Sequence, residues 1–134
     1  MAKRIGAPPP ARKSGSGPTR QYQPDAGDFI YLDFTPHAGT EQAGRRPALV
    51  LSPRDYAIAS GLAFLCPVTT QVKGGPFEVP LTAVSAIKGA VLADHLRSFD
   101  WIALNAQFHS RAPDGVVHEV KARIAAILHM TLRP

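Results

Sequence analysis

Two adjacent arginines, Arg45 and Arg46, stand where a glycine-bracketed loop meets an apolar run. The loop reads Gly39-Thr40-Glu41-Gln42-Ala43-Gly44, and Pro47 opens the run that follows. A guanidinium held at the edge of a strand can grip a phosphate through two parallel hydrogen bonds, and the glycine-rich stretch before it, which could move, offers a carboxylate and an amide. A second group, Pro67-Val68-Thr69-Thr70-Gln71, places two hydroxyls and an amide at the end of another apolar run, where they can donate to phosphate oxygens. A third, Lys73-Gly74-Gly75-Pro76-Phe77, puts a cation beside a tight turn. Each has a plainer reading as well. The arginines could be exposed on a solvated hairpin loop, the threonines could reflect strand preference alone, and the lysine could be a solvated turn residue.

Several short elements must carry these groups. Asp28-Phe29-Ile30-Tyr31-Leu32-Asp33-Phe34 is aromatic and β-branched and predicts a first strand. A long polar loop over 35–44 follows. Residues 47–51 predict a second strand buried on both faces, and 53–60 one or two helical turns. A third strand is expected over 62–69, a turn at 73–76, a fourth strand over 77–81, and further short strands at 90–93 and 96–99 with Trp101 packed beneath them. The stretch 114–129 is the one clear amphipathic helix. Val117, Val120, Ile124, Ile127 and Leu128 recur at helical spacing, Lys121 and Arg123 face away, and Asp114 is placed to cap the start. Many short strands before one C-terminal helix indicate an all-β or β-rich single domain, a small and strongly bent sheet or barrel.

Composition narrows the classes. The chain has 134 residues, enough for one domain with a modest core. Its one cysteine, Cys66, sits in an apolar run and excludes an internal disulfide and a cysteine-based zinc site. The aspartates are scattered, without the cluster that two-metal nucleases use. No apolar run approaches the roughly 18 residues of a membrane span, and the basic N-terminus lacks a hydrophobic signal region, so the cytoplasm is expected. The net charge is +5, yet Lys3, Arg4, Arg12, Lys13 and Arg20 account for all of it. From residue 21 onward basic and acidic side chains cancel. The charge therefore says little about what the folded part binds. Residues 1–21, rich in Pro, Gly, Ser and basic side chains, are expected to be disordered, with a single domain over 22–134.

Taken together these blocks resemble the MazF/PemK family of toxin–antitoxin endoribonuclease toxins. The resemblance runs from Pro24-Asp25-Ala26-Gly27-Asp28 through Tyr31-Leu32-Asp33-Phe34 and the Glu41-Gln42-Ala43-Gly44-Arg45-Arg46-Pro47 block. It continues through Val50-Leu51-Ser52-Pro53, Thr69-Thr70-Gln71, Lys73-Gly74, Pro76-Phe77-Glu78-Val79 and Leu92-Ala93-Asp94. It covers about residues 22–129. Two departures stand out. The stretch between Phe77 and Leu92 is a residue longer than in the best-known members, and His95 stands where a glutamine is common.

The resemblance implies an SH3-like barrel of the MazF/CcdB kind with a C-terminal α-helix, working as a homodimer. It implies sequence-specific cleavage of single-stranded RNA, and neutralisation by a cognate antitoxin whose acidic, disordered tail lies in the same cleft. It places Arg46 and Thr69 at the phosphate, with Glu41 close by. Arg46 would stabilise the phosphorane, Thr69 would donate to a non-bridging oxygen, and Glu41 would take the proton of the 2′-hydroxyl. The products would be a 2′,3′-cyclic phosphate and a 5′-hydroxyl, with no metal or other cofactor. Arginine is a poor general acid, so charge stabilisation with water as the acid is the simpler role for Arg46. Gln42, Arg45, Thr70, Gln71, Lys73 and Arg97, with Tyr31, are the candidates for contacts to unpaired nucleotides. His37 and His95 match no catalytic position. Two other functions are compatible with the fold: a non-catalytic DNA gyrase poison and a passive RNA-binding module. Neither needs the Arg46–Thr69 pair.

Overall fold

The computed structural model describes residues 21–34 and 44–132. The expected N-terminal disorder, most of the 35–44 loop, Glu41 and Gln42 lie outside these residues. Seven strands and two helices follow in order: β1 (Asp28–Phe34), β2 (Gly44–Val50), α1 (Arg54–Ser60), β3 (Leu62–Thr69), β4 (Glu78–Pro80), β5 (Ala90–Leu92), a 3-10 turn (Ala93–His95), β6 (Arg97–Asp100), β7 (Gln107–Arg111) and α2 (Val116–Leu128).

The sheet is antiparallel, in the order β4-β5-β3-β2-β1-β7, with β6 also paired to β3. β3 changes partner along its length. Leu62 to Leu65 pair with β6, whereas Val68 and Thr69 pair with β5. This change of partner lets the sheet bend, and each face encloses its own apolar cluster. Phe29, Leu49, Cys66, Val68, Val91 and Val120 fill one. Ile30, Leu32, Ala48, Val50, Leu65 and Trp101 fill the other. Alternation along β1, β2 and β3 sends successive side chains to opposite clusters, as a period of two requires. Ala48, Leu49 and Val50 are fully buried, so the second strand is covered on both faces over that stretch, as its unbroken apolar run predicts.

The β-rich architecture with a C-terminal helix agrees with expectation, and several boundaries move. β2 begins at Gly44, so both arginines lie inside the strand. β7 was not predicted. Its sequence Gln107-Phe108-His109-Ser110-Arg111 lacks apolar alternation, as suits an edge strand, which among the described residues pairs only with β1. Asp114 makes no capping hydrogen bond; Gly115 occupies the cap position of α2. The apolar face of α2 also divides. Val120 is buried and Val116, Val117 and Ile124 pack on the first cluster, whereas Ile127 and Leu128 are exposed. Arg123 does not face away. Its guanidinium donates to the Pro76 carbonyl at 2.5 Å and so ties α2 to the turn before β4.

The N-terminal edge is fastened around Asp28, which is 2% exposed. Its carboxylate accepts hydrogen bonds from the Tyr22 hydroxyl, from the Asp25 backbone N–H at 3.1 Å and from the Arg111 guanidinium at 2.7 Å. Burial, and then the bond to Asp28, push the Tyr22 hydroxyl well above the ordinary tyrosine range. The bond to Asp28 likewise raises Arg111. A buried carboxylate surrounded by three donors is satisfied, and it ties the segment over 22–28 to β7.

Candidate active site

Three strand ends meet at the edge of the sheet from which the 35–43 segment departs. β1 ends at Phe34, β2 begins at Gly44 opposite it, and β3 ends at Thr69. The β2–β3 register pairs Val50 with Leu65, Leu49 with Cys66 and Ala48 with Pro67. Two residues further along both strands stand Arg46 and Thr69. By alternation both belong to the face of Ala48 and Pro67. Arg97, paired with Leu65, belongs to that face as well. Its guanidinium carbon lies 5.1 Å from the centre of the Phe99 ring, and Phe99 meets Phe34 edge-on at 5.3 Å. Arginine and threonine donors are therefore gathered on one face, with an aromatic pair beside them.

Arg46 is half-buried at a strand position paired with Leu32 of β1, which restrains where its guanidinium can reach. Thr69 is fixed by its surroundings. Its Oγ1 accepts from the Gln71 backbone N–H at 3.0 Å, and its own hydroxyl proton remains a donor. Thr70 and Gln71 follow the end of β3 and are exposed.

Arg45 has a different environment. Being next to Arg46, it lies on the opposite face, paired across the strands with Asp33. Its guanidinium donates to the Asp33 carboxylate at 2.6 Å, to the Asn105 carbonyl at 2.8 Å and to the Gln107 amide oxygen at 3.1 Å. The Asn105 amide completes the cluster with a bond to Asp33 at 2.8 Å. These contacts join the base of the β1–β2 hairpin to β7 and the turn before it. The sequence reading gives Asp33, Asn105 and Gln107 no role at the site; only the fold brings the latter two beside the hairpin.

Lys73 is exposed on a turn that Glu78 organises. One oxygen of the Glu78 carboxylate accepts from the backbone N–H groups of Lys73 and Gly74, at 2.9 and 2.8 Å. With Arg123 holding Pro76 from α2, the turn is anchored at both ends. The Lys73 backbone is thus fixed while its side chain is presented to solvent. His95 is exposed in the 3-10 turn, 3.9 Å from Asp94. Cys66 is buried in the first cluster, and burial pushes its thiol from the ordinary 9.0 up to about 12, so it is no nucleophile at neutral pH. Among the described residues no group of three or more His, Cys, Asp or Glu side chains is arranged to hold a metal ion.

Known proteins resemble the chain as a whole. The chain is 42% identical over 108 residues to the endoribonuclease toxin MazF of Escherichia coli K12, covering 81% of this chain and 96% of that protein. The fold superposes on the crystal structure of MazF from Deinococcus radiodurans with a TM-score of 0.76 and 51% identity, covering 82% of this chain and 100% of that one. A MazE–MazF crystal structure from the same organism matches with a TM-score of 0.74 and 47% identity, over 83% of this chain and 100% of the other. The family described as PemK-like, MazF-like toxin of type II toxin–antitoxin system matches residues 25–128. With nearly the whole described fold inside that match, the chain belongs to the PemK/MazF toxin family.

Proposed function

We propose that this toxin is an endoribonuclease that cuts single-stranded RNA at short sequences, using the 2′-hydroxyl of the substrate as nucleophile. The observation that carries the reading is the emergence of Arg46 and Thr69 on one face at the ends of neighbouring strands. The negative charge that develops on the phosphorane is met by donors already oriented before reaction, and such preorganised donors are worth most where solvent is partly excluded. Arg46 stabilises the two non-bridging oxygens, and the Thr69 hydroxyl donates to one of them. Glu41, which lies outside the described residues, is the base that takes the 2′-hydroxyl proton. The oxygen attacks phosphorus, the bond to the 5′-oxygen breaks, and water protonates that leaving oxygen. The products are a 2′,3′-cyclic phosphate and a 5′-hydroxyl. The chemistry needs no metal, and cleavage should persist in EDTA.

Lys73 and Arg97 are the substrate contacts best supported by position, with Thr70, Gln71 and Gln42 beside them. Arg97 lies on the Arg46 face, and its guanidinium, held over the Phe99 ring, offers a plane on which an unpaired base could stack. Arg45 is better read as a support for the hairpin, since its guanidinium is engaged on the other face.

Two partners complete the reading. MazF of Deinococcus radiodurans is seen with MazE, and an antitoxin with an acidic tail would suit the face that carries Arg46 and Arg97. A homodimer would cover exposed apolar side chains that border one groove: Phe64 on β3, and Met130 and Leu132 beyond α2. Light scattering should return twice the 14.3 kDa chain mass. No helix among the described residues is long and apolar enough to cross a membrane; the cytoplasm is the compartment this reading proposes, because RNA substrates would be met there.

The deciding experiment is a cleavage assay on a long RNA in EDTA, with the ends mapped by primer extension and Arg46→Ala run in parallel. Discrete cuts at a shared motif, lost in the variant, support the reading. Intact RNA with folded protein would transfer the case to a gyrase poison or a passive RNA binder.

A further inference from the structure

The backbone that carries Thr69 is pressed from outside by a single glycine. Gly89 lies so close to β3 that a Cβ built on it would sit 2.0 Å from the Thr69 carbonyl oxygen and 2.9 Å from the carbonyl carbon. Its φ of +116° is a conformation that side-chain-bearing residues rarely adopt. Both facts exclude any other residue from this position unless Thr69 moves.

The loop that delivers Gly89, residues 82–89, is braced although it borders solvent. Ser85 is 2% exposed and its hydroxyl donates to the Ile87 carbonyl at 2.7 Å. Ile87 is buried in the first apolar cluster. The Lys88 ammonium folds back onto the carbonyls of Ala83 and Ser85, at 3.0 and 2.9 Å. The Gly89 carbonyl accepts from the Leu81 N–H at 2.9 Å, and the next residue, Ala90, pairs with Thr69 in the sheet. The loop is therefore anchored at Ser85, Ile87, Lys88 and Gly89, and its last residue bears on the peptide of Thr69.

We propose that Gly89 and the braced loop over 82–89 are a positioning device for Thr69, setting the hydroxyl at the place where the phosphorane oxygen forms. This rests on the reading that Thr69 acts at the phosphate. Misplacing a transition-state donor by a fraction of an ångström forfeits most of its contribution, while ground-state binding through other contacts is kept.

The test is single-turnover and steady-state cleavage of a short RNA by Gly89→Ala, Thr69→Ala and the double variant. The expected result is a fall in kcat for Gly89→Ala approaching that of Thr69→Ala, about 10²-fold, with KM within about threefold of wild type. In the Thr69→Ala background Gly89→Ala should cost less than about threefold more, because the donor it positions is gone. Ser85→Ala loosens the loop without a clash and should reproduce the pattern at about threefold to tenfold, so it carries the test if Gly89→Ala does not fold. Wild-type kcat in the loop variant, or the same loss with and without Thr69, would overturn the inference. If Thr69→Ala itself cleaves at the wild-type rate, the assignment of Thr69 is what fails.

Discussion

Arg45 and Arg46 are neighbours of identical chemistry on one strand, and the fold gives them opposite work. Arg45 meets Asp33, Asn105 and Gln107 on one face and is consumed as a clamp. Arg46 meets the face shared by Thr69 and Arg97, where phosphate would lie. The difference comes from the period-two alternation of a strand and from nothing in the side chains themselves. A pair of arginines beside a loop is thus not evidence for two phosphate contacts. One of them can support the structure that holds the other in place.

The strongest way to break this contrast is to remove each guanidinium in turn. Arg46→Ala should lower kcat at least about 10²–10³-fold, and Thr69→Ala somewhat less, with thermal midpoints near wild type. Arg45→Ala should do the reverse. It leaves Asp33 without its cation, and because both side chains are partly solvated the loss is about 1 kcal/mol, read as a drop of a few degrees in Tm. Its kcat should fall less than tenfold, through loosening of the hairpin. If Arg45→Ala abolishes cleavage at unchanged Tm, the two roles have been assigned the wrong way round.

Salt dependence sharpens the same contrast at smaller effect. A phosphate contact contributes about 0.7 to the slope of log affinity against log salt for a single strand. Lys73→Ala should lower that slope by roughly this amount and raise KM a few-fold with little change in kcat. Arg45→Ala should leave the slope unchanged, because its charge is already paired to Asp33.

The smallest effect lies in the core beneath the Arg45 face. Burial raises the Cys66 thiol from 9.0 to about 12 in the folded chain. A raised folded value favours the neutral thiol, so its stabilising contribution is full below about pH 9 and is lost as pH rises from there towards 12. Denaturant midpoints measured over that window should fall more in the wild type than in Cys66→Ala. Parallel curves would show that the thiol is not protected by burial.

Much of this was legible without coordinates. The β1 and β3 spans match expectation residue for residue, because alternation and apolar runs follow from which side chains must leave water. The Arg46 and Thr69 blocks were legible through their residue types and through the family resemblance. β7 was missed because an edge strand with little to bury carries no hydrophobic period. Arg123 was misread because helical spacing says which side chains leave the core, and not that a long one can reach back to the Pro76 carbonyl.

The sequence by itself determined the strand-rich fold, the terminal helix and the residue types able to hold a phosphate, since these depend on local pattern and composition, while the family came from the resemblance of its motif blocks. Only the tertiary structure decided which arginine shares the face of Thr69 and Arg97, that Glu78 and Arg123 anchor the lysine turn, and that Gly89 lies against Thr69. Those outcomes depend on strand register and on contacts between residues distant along the chain. A single side-chain pattern cannot encode them, because register is settled only when both faces of the sheet are packed at once.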